Sequence, residues 1–373
     1  MPQTEAQAEP RYMARALRLA ARGRYSCHPN PRVGCVIVAG GQIVGEGFHA
    51  VAGEAHAEVH ALQAAGERAK GADVYVTLEP CSHQGRTPPC ADALIAAQVG
   101  RVIVAMRDPN PKVAGQGLER LAQAGIPVVV GMMQNAAQQL NPGFVFAMQH
   151  QRPRVCLKLA SSLDGRTAMA SGESQWISGE AARADVHRLR AEFGAVLTGS
   201  ATVIADDPAL TVRIPPPEGA SAWRQPVRMV LDSALKSPPK ARIFEPGARR
   251  IVITCATDTY KRDALAQLGV ELQVTQAAAD GSVPLQAALS SIAACGINEL
   301  LLECGPRLAG AFLQARLVDE LLLYVAPKLL GHAARPLANL PGLDQLADAI
   351  DWDIQDCRRV GRDLRIRALP EAR

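Results

Sequence analysis

The stretch "HAEVHAL", beginning at His56, is followed by "PCSHQGRTPPC", beginning at Pro80. These two segments restrict the fold more than any other part of the chain. His56, Cys81 and Cys90 are zinc-ligand types, and a catalytic zinc site takes three protein ligands and leaves the fourth position to water. Two thiolates balance the charge of Zn²⁺, and the metal lowers the pKa of the water it binds to roughly 7. Glu58 adds a carboxylate that can carry a proton from that water to a leaving group. Residues two apart do not share a helix face. His56 is therefore expected at the turn into a helix, with Glu58 in its first turn. Cys90 follows Pro88–Pro89 and is expected to open a second helix, where free N–H groups favour a thiolate. The fold must bring these two helix starts together.

A rival pairing of His56 with His60 would imitate a metalloprotease helix. That motif requires Glu directly after the first His, and residue 57 is Ala. His60 is expected on a helix face, and Cys27 and Cys35 as core or loop thiols. A lone His or Cys is usually structural, but four suitable types in this order point to catalysis. Arg86, in the loop between the cysteines, suits a phosphate. His83, in the same loop, is equally compatible with a solvated residue.

Apolar segments of strand length alternate with helical periodicity along all 373 residues, which predicts layered α/β structure. "VGCVIV" and "QIVGEGF", separated by Gly40–Gly41, read as a hairpin. Later strands are "DVYVTL", "RVIVAM" and "PVVVG". The polar stretch around Pro153 marks a boundary between domains 1–150 and 151–373. Beyond it come "RVCLKLA", "AVLTGS", "VRMVLD", "RRIVITC", "ELLLECG" and a long apolar strand "DELLLYVAPKLLG". The end of the chain reads as an antiparallel pair turning at Gly361. The prolines of "IPPPEGASAW" mark a surface loop.

Composition removes several function classes. A net charge of +4 with dispersed basic residues, and only 4% aromatics, argue against nucleic-acid binding. No run approaches the ~18 apolar residues of a membrane helix. The N-terminus contains Glu5 and Glu9 and no apolar signal core. Nine scattered cysteines do not form a disulfide framework. A cytoplasmic protein is expected.

His-x-Glu followed by Pro-Cys and a second Cys is the zinc deaminase signature, usually with two residues between the cysteines. Here eight intervene. This extended "EPCSHQGRTPPC", with "HAEVHAL" and "NPRVGCVIV" upstream, resembles the N-terminal deaminase of the bifunctional riboflavin-biosynthesis enzymes. In the second half, "LKLASSLDGRTA", "SQWIS", "GSATVIADDPALTVR" and "LLECGPRLAGAFL" are similar to the reductase half of that family. Taken alone, "GPRLAG" is either a phosphate-binding helix start or a simple strand-to-helix turn. It is not a Rossmann fingerprint.

The resemblance spans about residues 10 to 368 and implies two folds. The first is a cytidine-deaminase-like three-layer α/β/α domain, and the second a dihydrofolate-reductase-like α/β domain. It implies Zn²⁺ and NADPH as cofactors and a pyrimidine ribose phosphate as substrate. The first step deaminates a diamino-pyrimidinone, and the second reduces a ribosylamino to a ribitylamino group at C1′. Carried over by motif, Lys158, Asp164, Ser174, Arg190, Leu210, Arg213 and Glu303 hold substrate. Ala160, Trp176, Thr202, Asp206 and Ser233 contact the nicotinamide nucleotide, together with Gly305, Pro306, Arg307, Leu308, Ala309 and Gly310. Related reductases often carry two glycines where this chain has Cys304–Gly305, so the side chain at 304 faces either the cofactor phosphates or the core. A homodimer or higher homo-oligomer, assembled through the second domain, is expected. The alternative is a cytidine, nucleotide or tRNA deaminase with an unrelated C-terminal domain. A second is a zinc-stabilised binding protein with a decayed reductase domain.

Overall fold

The computed structural model describes residues 8–82, 88–111, 113–216 and 222–371. The chain divides into two compact units, Met1–Gln151 and Arg152–Arg373.

In the first unit five strands are ordered β2-β1-β3-β4-β5. They are β1 (Gly34–Ala39), β2 (Gln42–Phe48), β3 (Asp73–Val76), β4 (Arg101–Val104) and β5 (Val128–Val130). β1 pairs antiparallel with β2 and β3, and the remaining pairings are parallel. Gly40 and Gly41 both take positive φ in the hairpin turn, a conformation that costs glycine little.

Glycines set how closely the helices approach this sheet. A Cβ on Gly34 would lie 2.0 Å from the Ala16 carbonyl oxygen, in the helix Pro10–Ala20. A Cβ on Gly47 would lie 2.3 Å from the Ala57 carbonyl oxygen, and one on Gly45 2.2 Å from that of Ala61. Gly45 and Gly47 pair with Ile37 and Cys35, whereas Gly34 is offset by one residue and points to the opposite face. The helix Ala57–Ala65 therefore sits on one face and Pro10–Ala20 on the other, giving the three layers. Ala57, Ala61 and Ala65 recur every four residues on the packed side of their helix and are all buried.

The second unit has a nine-stranded sheet, ordered β11-β10-β9-β8-β12-β6-β13-β16-β15. In chain order the strands are β6 (Arg154–Ser162), β7 (Arg166–Ala168), β8 (Ala195–Gly199), β9 (Val227–Leu231), β10 (Arg250–Thr254) and β11 (Glu271–Val274). They continue with β12 (Glu299–Glu303), β13 (Glu320–Ala326), β14 (Arg335–Pro336), β15 (Trp352–Val360) and β16 (Asp363–Pro370). β7 and β14 form a separate two-stranded ladder.

Side-chain alternation feeds two cores. Leu157, Leu197, Met229, Leu300 and Leu302 pack on one face with Leu289 and Phe312. Cys156, Val196, Val230 and Leu301 pack on the other with Val186 and Leu189. Strands buried on both faces read as continuous apolar runs.

Some elements differ from the sequence reading. The helix Thr259–Gln267 and β11 form an edge unit that its weak apolar pattern concealed. The last apolar strand stops at Ala326, because Pro327 cannot donate to a ladder and the chain turns there. The helices Gln134–Leu140 and Pro142–His150 close the first unit, where only a polar boundary was expected.

Candidate active sites

The metal-ligand types converge. His56 caps the helix Ala57–Ala65 in an extended conformation, with φ −77° and ψ 168°. This lets its ring lie near Glu58 although the two are only two residues apart. Cys90 opens the helix Cys90–Ala96 behind Pro89. Cys81 is tied to that helix start, since Cys90 N donates to its Sγ at 3.3 Å and Ala91 N to its carbonyl at 3.1 Å. His56 Nδ1 lies 3.2 Å from Cys90 Sγ and 3.6 Å from Cys81 Sγ. All three donor atoms lie within 4.8 Å of one another. Tetrahedral zinc at its usual bond lengths separates nitrogen and sulfur ligands by about 3.5 Å. The donor set and its spacing fit zinc. His60 is not part of this cluster.

Without metal, the three ligands share protons. Hydrogen bonding from the Cys90 thiol, opposed by burial, draws Cys81 down to about 4. The same bond pushes Cys90 well up, and the hydrogen bond with Cys81 raises His56. Glu58 is only 3% exposed, and burial above all pushes its carboxyl up to about 7.

Three neighbours of this site were not singled out in the sequence. His49 is buried, and its ring meets that of His56 edge-on at 5.2 Å. Its Nδ1 lies 3.2 Å from the Ala55 carbonyl oxygen and its Nε2 3.0 Å from Asn30 Nδ2. If Nδ1–H donates to the carbonyl, Nε2 accepts from the amide, so the ring is neutral. Burial lowers its pKa in the same sense. Glu79, next to the Pro-Cys pair, is also buried. Its carboxylate accepts from the backbone N–H groups of Asp108, Gly115 and Gly117 at 3.0–3.1 Å. Arg120 donates to the Ser82 carbonyl at 3.2 Å and pairs with Asp92 at 2.6 Å. The helix Gln116–Gln123 thereby braces both cysteine segments, and a Cβ on Gly117 would lie 2.0 Å from the Pro80 carbonyl oxygen. A lone His after a strand carries no spacing signal. Glu79 and Arg120 act through backbone groups that a sequence does not reveal. Arg86 and His83 lie outside the described residues.

The second unit contains a cavity of about 1200 Å³ at the C-terminal ends of β6, β8, β9 and β12. Lys158, Arg190, Arg213 and Glu303 line it, as do Ser174 and Leu210. Ala160, Trp176, Thr202, Asp206 and Ser233 line it too, followed by the turn Gly305, Pro306, Arg307 and Leu308. Three residues of the carried-over set do not. Ala309 and Gly310 face the interior, and a Cβ on Gly310 would lie 1.8 Å from the Asn339 carbonyl oxygen. The carboxylate of Asp164 instead accepts from the backbone N–H groups of Leu330 and Gly331, the latter at 2.7 Å, and from the Ser162 hydroxyl. That hydroxyl is the main reason its pKa falls to about 2.

At the centre of the cavity Arg190 binds Glu303 through two parallel bonds of 2.6 and 3.0 Å. Its fork is therefore held by a carboxylate of the protein itself. Lys158 Nζ lies 3.9 Å from Glu303 and over the Tyr324 ring, and burial lowers its pKa. Thr202 Oγ1 accepts from Gly305 N at 3.2 Å, fixing the turn into the helix Pro306–Gln314. Cys304 lines the cavity and also packs against the apolar core.

Residues 153–366 match the family described as the RibD C-terminal domain, and residues 6–106 the cytidine and deoxycytidylate deaminase zinc-binding region. A curated relative, riboflavin biosynthesis protein RibD of Escherichia coli K12, is 54% identical over 95% of this chain and 97% of its own. The chain belongs to the RibD family. A solved RibD structure from Acinetobacter baumannii, 47% identical, superposes with a TM-score of 0.90 and covers 97% of this chain and 99% of the other. A Thermotoga maritima structure described as a diaminohydroxyphosphoribosylaminopyrimidine deaminase/5-amino-6-(5-phosphoribosylamino)uracil reductase is 32% identical. Its TM-score is 0.84, covering 97% of this chain and 98% of the other. This RibD chain is thus an enzyme of riboflavin biosynthesis, a zinc deaminase and an NADPH-using reductase in one polypeptide. Full-length matches exclude the alternative of a deaminase with an unrelated second half. Among the described residues no helix is long and apolar enough to cross a membrane.

Proposed function

We propose that residues 1–150 deaminate a 2,5-diamino-6-ribosylamino-pyrimidinone 5′-phosphate, and that residues 151–373 reduce the deaminated product to the ribitylamino compound. The convergence of His56, Cys81 and Cys90 beside buried Glu58 carries the first assignment. The three side chains would hold zinc, which when bound would supply a Lewis acid that makes water nucleophilic at neutral pH. Glu58 would take a proton from the attacking water and pass it to the amino group, which leaves as ammonia when its C–N bond breaks. Its raised pKa suits both roles, since a carboxyl titrating near neutrality gains and loses a proton at comparable cost. Arg86 binds the substrate phosphate.

In the second unit Lys158, Arg190, Arg213, Glu303, Ser174 and Leu210 hold the deaminated substrate. Ala160, Trp176, Thr202, Asp206, Ser233 and the turn from Gly305 to Leu308 hold the nucleotide, with Ala309 and Gly310 supporting that turn from behind. NADPH held by these residues would supply the hydride for reduction at C1′ of the sugar. Lys158 donates the accompanying proton, because it lines the cavity and its lowered pKa makes it a better acid. Asp164 acts indirectly, by fixing the loop that follows β6.

The enzyme works in the cytoplasm as a homo-oligomer built through its second unit. All nine cysteines are free thiols, which suits a reducing compartment. β15, one of the two edge strands of the nine-stranded sheet, is largely exposed, and an open edge of this kind offers a pairing surface.

The direct test follows ammonia release and NADPH oxidation together on the diamino substrate. Ammonia should appear first and without a requirement for NADPH, with NADPH loss following after a lag. Ammonia from cytidine with no NADPH consumption would overturn the reading.

A further inference from the structure

We infer that Arg242, a residue outside the substrate and cofactor sets described above, binds the substrate 5′-phosphate together with Arg213 in the reductase cavity. The inference rests on the reading of that cavity as the reductase site.

Arg242 and Arg213 both line the cavity and are both exposed to it. The Arg242 backbone is rigidly held. Its N–H donates to Asp207 Oδ1 at 2.8 Å, and its carbonyl accepts from the buried guanidinium of Arg228 at 3.3 Å. The carbonyls that follow are held in the same way, Glu245 by Arg228 and Phe244 by Arg250 at 2.8 Å. Ile243 and Phe244 are buried in the core beneath. The point from which the Arg242 side chain enters the cavity is therefore fixed.

The guanidinium of Arg242 has no acceptor among the described residues. Arg213 spends one N–H on Thr211 Oγ1 at 3.0 Å, and the same threonine's carbonyl accepts from Arg190 at 3.2 Å. Glu303 is already committed to Arg190 and Lys158. Asp206, Asp207 and Asp280 also line the cavity, yet none forms an ion pair with Arg213 or Arg242 among the described residues. Arg242 is tied to Asp207, in the loop that leads to Arg213, and both side chains line the same cavity. Arg190 and Arg242 add to burial in lowering the pKa of Arg213, and Glu303 opposes them. With Glu303 bound to Arg190 and Asp207 bound to the Arg242 backbone, an added anion is the partner both guanidiniums lack. A phosphate monoester, with several acceptor oxygens and nearly two negative charges, fits that demand. The nucleotide's own phosphates have a separate place at the Gly305 turn, where helix N–H groups are unpaired.

The experiment measures NADPH oxidation on deaminated substrate with its 5′-phosphate and on the same compound after phosphatase treatment. Wild-type enzyme should prefer the phosphorylated form in kcat/KM. Arg242→Gln should reduce that preference roughly 10- to 100-fold, the range for a charge-assisted hydrogen bond, mainly through KM. Arg242→Glu should reduce it further. Both substitutions leave the backbone bonds in place, and ammonia release by the first unit, together with the melting curve, reports intact folding. An unchanged preference in both variants would make Arg242 an ordinary surface residue. A raised KM for NADPH with the preference intact would assign it to the cofactor instead. Wild type that oxidises no NADPH on either compound would overturn the reductase reading itself.

Discussion

The two sites of this RibD chain are built on opposite plans. The proposed zinc pocket draws its three candidate ligands and the proposed acid–base group, Glu58, from 35 consecutive residues, His56 to Cys90, around two helix starts. The reductase cavity collects residues from Lys158 to Asn339, delivered one or two at a time by the ends of strands and the loops after them. A metal requires a few donors at fixed separations, and short local segments provide that. A pair of large ligands must be aligned along their length, so the second site needs wide positioning more than close spacing. Damage should accordingly be abrupt in the first site and graded in the second.

Metal removal should show the widest contrast. Stripping zinc with a chelator is expected to abolish ammonia release while leaving reduction of pre-deaminated substrate near the untreated rate. Parallel loss of both activities would refute the separation of the two sites. Next in size is Glu303→Gln, which leaves the half-buried Arg190 without its charged partner. Breaking a fully buried pair costs about 3–5 kcal/mol, and this one, which lines a cavity, costs less. A melting experiment should show the second unit destabilised and reduction slowed but not abolished, with ammonia release retained.

Glu79→Gln should sharpen the comparison on the deaminase side. Gln presents an N–H where the carboxylate accepts from a backbone N–H, loosening the brace behind Cys81. Loosening the support behind a metal ligand weakens metal binding roughly 10- to 100-fold, which competition with a chromophoric chelator would read. Reduction should be unaffected. The smallest effect concerns Asp164. Its folded pKa of about 2 lies below the ordinary aspartate value of 3.8, so its stabilising contribution is present above roughly pH 4 and is lost as pH falls toward 2. Asp164→Asn should flatten the acid limb of the stability profile over that window. A wild-type-like acid limb in the variant would show that the Leu330 and Gly331 contacts do not depend on charge.

The same contrast explains what the sequence disclosed. The convergence of His56, Cys81 and Cys90 was legible because metal ligands are few, chemically distinctive and closely spaced. The extended conformation of His56 followed from its two-residue separation from Glu58. Glu79 was not legible, since its three partners are backbone N–H groups whose position depends on the fold of residues 108–117. In the second unit, the residues around the cavity came only from resemblance to a known family. Their types (Lys, Arg, Thr, Ser, Asp) occur everywhere, and no periodicity marks a strand end. The Arg190–Glu303 pair spans 113 residues, a separation over which spacing carries no information. The resemblance likewise gave no hint that Gly310 supports helix packing against Asn339, or that Arg242 is presented to the cavity.

The central claim is that one chain runs two chemistries on separate residue sets, with Glu58 indispensable to only one of them. The measurement that addresses it most directly uses Glu58→Gln enzyme with NADPH, first on the diamino substrate and then on the pre-deaminated compound. The predicted result is no ammonia and no NADPH oxidation on the former, with wild-type oxidation restored on the latter. Ammonia release by the variant at the wild-type rate, or failure of the deaminated compound to restore oxidation, would contradict it.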